Sequence, residues 1–377
     1  MVLFARRPTL GRSMKSITAS LILASLLPLW LVSGCSGGND TPATPPAAAP
    51  DIYVAGVETV GTEYKAVYWK NGVITHLDSG QYGARATGIA VANGHVYVSG
   101  NIGSVIGGYN RATLWTDGTA TSLVTNDRAS SANSVTVVGQ DVYVGGCESA
   151  LPGVGTYYAT AEYWKNGTAV PFVTNTTGGC VSAITASGSD LYVLGSITGH
   201  TLTGPNTYAN EPIVTVWKNS VPQSLTDGTT YSTSGGLAIA NGHVYVAGSS
   251  CASFAADCSV ATYWVDGVSA LIAPSTLGQA SGVAISGSEI YTSVNLAPPS
   301  GSGNIAELGS GSSANALTSH TQSGTYGIAS YNGDVYVVGY DYYGPCYWKN
   351  GTQTYLSGAQ GGNSEPIAVA IAVVPAS

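Results

Sequence analysis

A five-residue string, x-Tyr-Val-x-Gly, recurs along most of the chain and limits what the chain can become. It first stands as Ile52-Tyr53-Val54-Ala55-Gly56. It returns, sometimes loosely, around Tyr97, Tyr143, Tyr192, Tyr245, Tyr291 and Tyr336, in steps of 44, 46, 49, 53, 46 and 45 residues. A second string, Ala-x-Tyr-Trp-Lys-Asn-Gly or a variant, follows and supplies Trp69, Trp115, Trp164, Trp217, Trp264 and Trp348. A degenerate stretch, Ala306 to Gly311, is expected to fill the missing place with Leu308. Periods of this length mark stacked supersecondary units, because one unit alone leaves an apolar face uncovered.

Each period holds four strands. An apolar strand is predicted before each Tyr string except the first, over 88–92, 134–138, 182–186, 236–240, 282–286 and 327–331. Asn93-Gly94, Asn241-Gly242 and Asn332-Gly333 between these strands suit type I′ turns, and Gly139-Gln140, Gly188-Ser189 and Gly287-Ser288 suit type II′. Another short turn, such as Asn71-Gly72 or Asp117-Gly118, follows each Trp strand and leads to a fourth strand. The pattern predicts an all-β, seven-bladed propeller of four-stranded antiparallel blades. The first blade lacks an inner strand, while Pro366 to Ile371 is an apolar strand with no repeat of its own. That C-terminal strand is expected to join the first blade and close the ring, leaving few edges exposed. One Trp per blade at a fixed position suits packing between neighbouring blades. Lys70, Lys165, Lys218 and Lys349 fall in short turns and are expected to be solvated. His95 and His243 follow tight turns as repeat positions.

Composition removes other classes. The chain is 44% hydrophobic and only 8% charged, the reverse of a disordered sequence, and its 50 Gly exclude a coiled coil. A formal net charge of −8 argues against a nucleic-acid partner. Residues 51–377 are expected to form one domain, and residues 36–50, rich in Pro, Ala and Gly, a tether. Residues 1–35 read as a targeting segment: Lys15, an apolar run from Ile17, then Val32-Ser33-Gly34-Cys35. That ending resembles the lipobox of bacterial lipoproteins. The resemblance implies lipidation of Cys35 with palmitate-like chains, a lipid-anchored place in the cell envelope and, with Ser36 next, outer-membrane sorting in a Gram-negative cell. Two or more acyl chains make such anchoring stable. Over residues 51–374 the repeat is loosely similar to extracellular bacterial repeats of the HAF type, which implies an exported propeller and no particular activity.

Loop lengths point to a working face. Connections 57–65, 101–111, 147–160, 196–212 and 249–260 are long and should emerge on the same side as the connections between blades. After the leader the chain has only Arg85, Arg111 and Arg128, all expected on that side beside Tyr109, Asn110 and Asp127. Arg grips carboxylate, sulfate or phosphate bidentately, and Tyr stacks on a sugar or peptide. Salt bridging to Asp78, Asp127 or Glu148 is the competing use of those arginines. Other loops, including Tyr157-Tyr158 and Tyr340 to Tyr343, are rich in Tyr and small polar residues.

Export makes two disulfides credible, Cys251–Cys258 and Cys147–Cys180, leaving Cys346 free. The His and Cys spacing suggests no metal site. No catalytic motif and no cofactor motif is present. The sequence therefore predicts a monomeric binding or interaction module for a glycan, peptide or protein, with a hydrolase or lyase acting on extracellular glycan or peptide as the alternative.

Overall fold

The turns form as their residues dictate. Asn71, Asn93, Asp117, Asn166, Asn241, Asp266, Asn332 and Asn350 take φ of 47–55°, and the Gly after each takes 79–90°. Two successive positive φ values make the hairpin turn whose twist matches paired strands. Gly139, Gly188 and Gly287 take φ of 60–62° at the first turn position, as a type II′ turn requires.

The computed structural model describes residues 48–61, 63–78, 80–103, 110–126, 128–149, 159–171, 178–198, 201–204, 207–209, 212–251, 259–300, 302–357 and 367–377. Residues Ala48–Ser377 make one compact unit. Blade 1 contains β1 (Asp51–Val60), β2 (Glu63–Lys70) and β3 (Val73–His76). Blade 2 is β4 (Ala84–Ala92), β5 (His95–Gly103), β6 (Asn110–Thr116) and β7 (Thr119–Ser122). Blade 3 is β8 (Ser130–Val138), β9 (Asp141–Ser149), β10 (Ala159–Lys165) and β11 (Thr168–Pro171). Blade 4 is β12 (Gly179–Ser187), β13 (Asp190–Thr198), β16 (Pro212–Lys218) and β17 (Val221–Ser224), with a separate hairpin, β14 (Thr201–Gly204) and β15 (Thr207–Ala209), in its connection. Blade 5 is β18 (Ser232–Ala240), β19 (His243–Ser250), β20 (Val260–Val265) and β21 (Val268–Leu271). Blade 6 is β22 (Gly278–Ser286), β23 (Glu289–Leu296), β24 (Ile305–Ser310) and β25 (Ser313–Ala316). Blade 7 is β26 (Gly324–Tyr331), β27 (Asp334–Asp341), β28 (Gly344–Lys349) and β29 (Thr352–Tyr355). The last strand, β30 (Ile367–Val374), pairs antiparallel with β1, Ile52 opposite Val373 and Ala55 opposite Ala370. It completes blade 1 as its inner strand, and inner strands touch in unbroken order around the ring. The sevenfold, C-terminally closed propeller is as the repeat predicted.

The inner strands begin three to four residues earlier than the apolar pattern suggests, at Ala84 rather than Gly88, for example. A β-bulge hides the early part. Thr87, Asn133, Ser182, Ser281 and Tyr326 are each passed over in the pairing with the second strand, as are Gly235-Gly236 in blade 5 and Val369 in blade 1. An extra residue inverts the two-residue alternation, so a period-2 pattern stops there.

The bulge also explains the motif glycine. Gly100, opposite the bulge, has no room for a side chain: a Cβ would lie 2.8 Å from Trp115 Cζ3 and 3.0 Å from Ala86 Cα. Gly56 faces Trp69 and Gly146 faces Trp164 in the same way, each at 2.9 Å. These Trp are fully buried and packed against the preceding blade, Trp115 with Leu77 and Trp69 with Leu356. Trp115 Nε1 donates to Asp78 O at 2.7 Å and Trp69 Nε1 to Ser357 O at 2.8 Å. Blade 6 swaps both partners. The register puts Gly309, not Leu308, at the Trp position, because it pairs with Thr292 as Trp115 pairs with Val98. Where the indole is missing, Val294 replaces the glycine, and its Cγ2 lies 3.2 Å from a Cβ built on Gly309. A large–small pair has become small–large with the space kept filled.

Neighbouring blades are tied at bulge height. Thr87 Oγ1 donates to Ala132 O at 2.6 Å, Asn133 Nδ2 to Val181 O at 2.7 Å, and the Ser182 and Ser234 hydroxyls lie 2.9 Å apart. One step away, Asn101 Oδ1 accepts from Ala132 N at 3.1 Å and Asn295 Oδ1 from Thr325 N at 2.6 Å. Cys147 holds the place of Asn101 and Asn295 in blade 3, and there the tie is covalent: Cys147 is bonded to Cys180 of blade 4, as expected. Cys251 is also disulfide-bonded; Cys258 lies outside the described residues. Cys346 is a buried free thiol, which burial pushes up to about 12.

The turn lysines are paired rather than simply solvated. Lys70, Lys165, Lys218 and Lys349 lie 2.7–3.0 Å from Asp51, Asp141, Asp190 and Asp334, and stack over Tyr53, Tyr143, Tyr192 and Tyr336 at 5.3–5.5 Å. The next residue, Asn71, Asn166, Asn219 or Asn350, donates to the same Asp at 2.7–2.8 Å. Lys and Asn together hold these carboxyls below the usual carboxylate range. Blades 2 and 5 reverse the chemistry: His95 and His243 replace the first Asp and meet Asp117 and Asp266 at 2.6 Å.

Candidate binding face

Strand alternation sends connections between second and third strands, and between blades, to one side of the ring. Two-residue turns occupy the other side. The described strand ends from which the longer connections leave, Gly103, Ser149, Thr198, Ser250 and Leu296, lie on the first side. The expected long connection 57–65 is instead mostly strand, since Val57 to Val60 pair with Glu63 to Ala66. Its β-branched Val57, Thr59 and Val60 favour continued pairing over a loop.

Arg85 lies inside β4, opposite Asn101, rather than in a blade connection, because the bulge extends that strand upward. Its guanidinium carbon sits 3.8 Å from the Tyr64 ring centroid. Arg85, Tyr64, Tyr82 and Asn110 line a cavity of about 80 Å³. Stacked on a ring, Arg85 keeps its planar donor fork in a defined orientation. Arg111, on β6, turns to its own blade, Nη2 donating to Val124 O at 3.0 Å. Arg128 Nη1 stands 3.7 Å from Glu148 Oε1, which also accepts from Asn126 Nδ2 at 2.7 Å. Tyr109 and Asp127 lie outside the described residues. The structure thus joins Arg85 to Asn110 and gives Arg111 and Arg128 separate partners.

Sequence reasoning passed over Tyr64, Tyr82 and Glu162. Glu162, on β10, lies close to Glu148; burial first, then that neighbouring carboxylate, push its carboxyl up to about 7. Nothing in a single Glu beside Tyr163-Trp164 signals this, because the partner sits on another strand. The tyrosines follow a pattern visible only in three dimensions. Tyr64, Tyr82, Tyr231, Tyr326, Tyr342, Tyr343 and Tyr355 are the exposed tyrosines among the described residues. Each lies in a connection, or in the strand half, on the long-loop side. The motif tyrosines Tyr53, Tyr97, Tyr143, Tyr192, Tyr245 and Tyr336 are buried or half-buried at the other end.

The inner strands enclose a channel cavity of about 400 Å³, walled by residues such as Thr87, Asn133, Ser182, Ser281 and Val369, with no charged side chain. Its hydroxyls and amides are largely engaged in the ties between blades. Among the described residues no three His, Cys, Asp or Glu come together as a metal site.

No protein-family model matches the sequence, and no curated protein is significantly similar to it. Several solved structures are similar to the chain at low identity. In the nidogen/laminin complex, one chain is 9% identical, with 86% of this chain and 98% of that chain covered at a TM-score of 0.41. The β-propeller domain of the Trilobed protease from Pyrococcus furiosus is 8% identical, covering 82% and 93% at 0.49. The acylaminoacyl peptidase of Pyrococcus horikoshii is 10% identical, covering 72% and 45% at 0.41.

Proposed function

We propose that this chain is an exported, lipid-anchored binding protein that takes a glycan on its long-loop face, anchored through Cys35 in the cell envelope. The segregation of exposed tyrosines carries the binding assignment: all of them among the described residues lie in the half of the ring that carries the long connections. Tyr offers a rigid amphipathic ring at little entropic cost, and such rings suit the flat faces of sugars. The Arg85–Tyr64–Asn110 cavity adds a place for an acidic substituent. A glycan and peptide array probed with residues 48–377 tests this. The expected result is glycan binding that Arg85→Ala or Tyr64→Ala weakens about tenfold, the worth of one charged hydrogen bond or stack. Peptide binding alone, or binding insensitive to both changes and lost through Lys165→Ala, would overturn it.

Hydrolase or lyase chemistry on the same face is favoured by one observation, the Glu148–Glu162 pair. A carboxyl held protonated near neutrality beside a carboxylate can serve as acid and base. Turnover of a bound glycan that Glu162→Gln abolishes would favour the enzyme.

A further inference from the structure

Blade 7 carries a short aromatic turn on the long-loop side. Its second and third strands join through a two-residue turn, Tyr342-Tyr343, flanked by the Asp341–Gly344 pair. Both rings stand in solvent, 60% and 58% exposed, where hairpin turns ordinarily carry small polar residues. The turn is held from below by Asp341, whose side chain is 1% exposed. Its Oδ1 accepts the Tyr343 N–H at 2.9 Å. Its Oδ2 accepts Gln353 Nε2 at 2.9 Å and the Tyr355 hydroxyl at 2.8 Å, with His320 Nδ1 3.4 Å away. Donors therefore converge on both oxygens of the Asp341 side chain.

Aromatic rings gather around this anion. Tyr343 stands nearly perpendicular to Tyr342 and to His320, with centroids 5.2 Å apart in both pairs, and to Tyr355 at 6.3 Å. Tyr355 donates a hydrogen bond to the carboxylate, which enriches its ring in electrons. Burial and Asp341 also raise the energy needed to ionise that phenol. The basic residue of blade 7, Lys349, is at the opposite end of its strand, 2.7 Å from Asp334. A buried negative charge beneath exposed π faces, with no Lys or Arg of its own blade nearby, complements a cation that cannot form strong hydrogen bonds.

We propose that the His320–Tyr342–Tyr343–Tyr355 corner is a binding site for an alkylammonium group. It rests on the long-loop side being the binding face, but it needs neither Arg85 nor a sugar. A neutral sugar would gain nothing from the carboxylate below. The cation gains from both, because ring quadrupole and Asp341 field have the same sign.

Tetramethylammonium is the probe, and its N-methyl proton resonance is the readout, since stacking on aromatic faces moves it upfield. A saturable upfield shift with a roughly millimolar Kd is expected from a few cation–π contacts. Tyr342→Ala and Tyr343→Ala, both on an exposed turn, should each weaken it about fivefold, and Asp341→Asn about tenfold. Arg85→Ala should leave it unchanged. tert-Butanol, similar in shape but uncharged, should show no saturable shift. Absence of a saturable shift for tetramethylammonium, equal binding of tert-butanol, or a shift unaltered by both Tyr changes would overturn the site. A glycan signal lost with Tyr342→Ala, without any tetramethylammonium shift, would assign the corner to sugar stacking instead. Saturation here with a silent glycan array would leave this site standing and remove the glycan proposal.

Discussion

Replacing Cys147 and Cys180 together by Ala isolates one of the ties between blades. The bridge spans a sequence separation of 33 residues. Closing a loop of that length in the unfolded chain corresponds to about 3.7 kcal/mol at 25 °C. A unit the size of Ala48–Ser377 unfolds with an entropy of roughly 0.7 kcal/mol/K, so its melting temperature should fall by about 5 °C. Guanidinium unfolding followed by Trp fluorescence, with calorimetry alongside, reads both quantities. The repeat supplies a second arm. Cys147 occupies the place where Asn101 and Asn295 accept the N–H of Ala132 and Thr325, the residues just before the bulge in the next blade. Val181 is the corresponding residue of blade 4, with Ser182 as its bulge. Cys147→Asn with Cys180→Ala should therefore regain about 1 kcal/mol over the double Ala variant, through one hydrogen bond. A double Ala variant within about 1 kcal/mol of the parent would refute the chain-entropy account. An Asn variant no better than Ala would refute the positional equivalence.

Removing residues 367–377 deletes the inner strand of blade 1 and leaves β1 as an open edge; the whole ring should melt earlier in one transition, and an unchanged calorimetric midpoint would contradict closure. Glu162, with a carboxyl raised from 4.5 to about 7, stabilises the fold fully below pH 4.5 and loses that contribution as pH climbs through 7. Glu162→Gln should thus match the parent at pH 4 and exceed it in denaturant resistance at pH 8; the reverse order would show the sign to be wrong. Cys35→Ala should take up no labelled fatty acid and leave the membrane fraction, while normal labelling would rule out the anchor.

The blade count, the turn types and the closing strand were legible because each depends on local residues repeated many times. Asn-Gly turns, Tyr strands and the orphan strand after Pro366 each announce themselves without knowledge of a partner. The inner strands were legible only below the bulge, where the two-residue alternation resumes. Leu308 was misassigned because a degenerate copy has no Trp to set its register; the pairing of Gly309 with Thr292 resolves it. Candidate site residues fared differently. Arg85 and Asn110 meet because both flank one blade's upper end, but Tyr64 joins them from blade 1 and Glu148 captures Arg128 across two elements. Such encounters depend on which strands become neighbours, and no spacing along one chain records them.

The polar device at the trimmed end bears on how the opposite face must work. It exists in two forms that do not mix. Asp-x-Tyr meets Lys-Asn in blades 1, 3, 4 and 7, while His-x-Tyr meets Asp-Gly in blades 2 and 5. Crossing the halves would place two carboxylates together or His against Lys. After the leader the chain has five Lys, and Lys70, Lys165, Lys218 and Lys349 are committed to this device; the fifth, Lys65, lies 2.7 Å from Glu63. The long-loop side is left with three Arg, of which Arg128 already faces Glu148. Recognition on that side therefore rests on rings and neutral polar groups more than on charge. Because stacking is not screened as exposed ion pairs are, binding of a neutral glycan there should change little with added salt, whereas an alkylammonium ligand over Asp341 should feel salt only as far as solvent reaches the carboxylate.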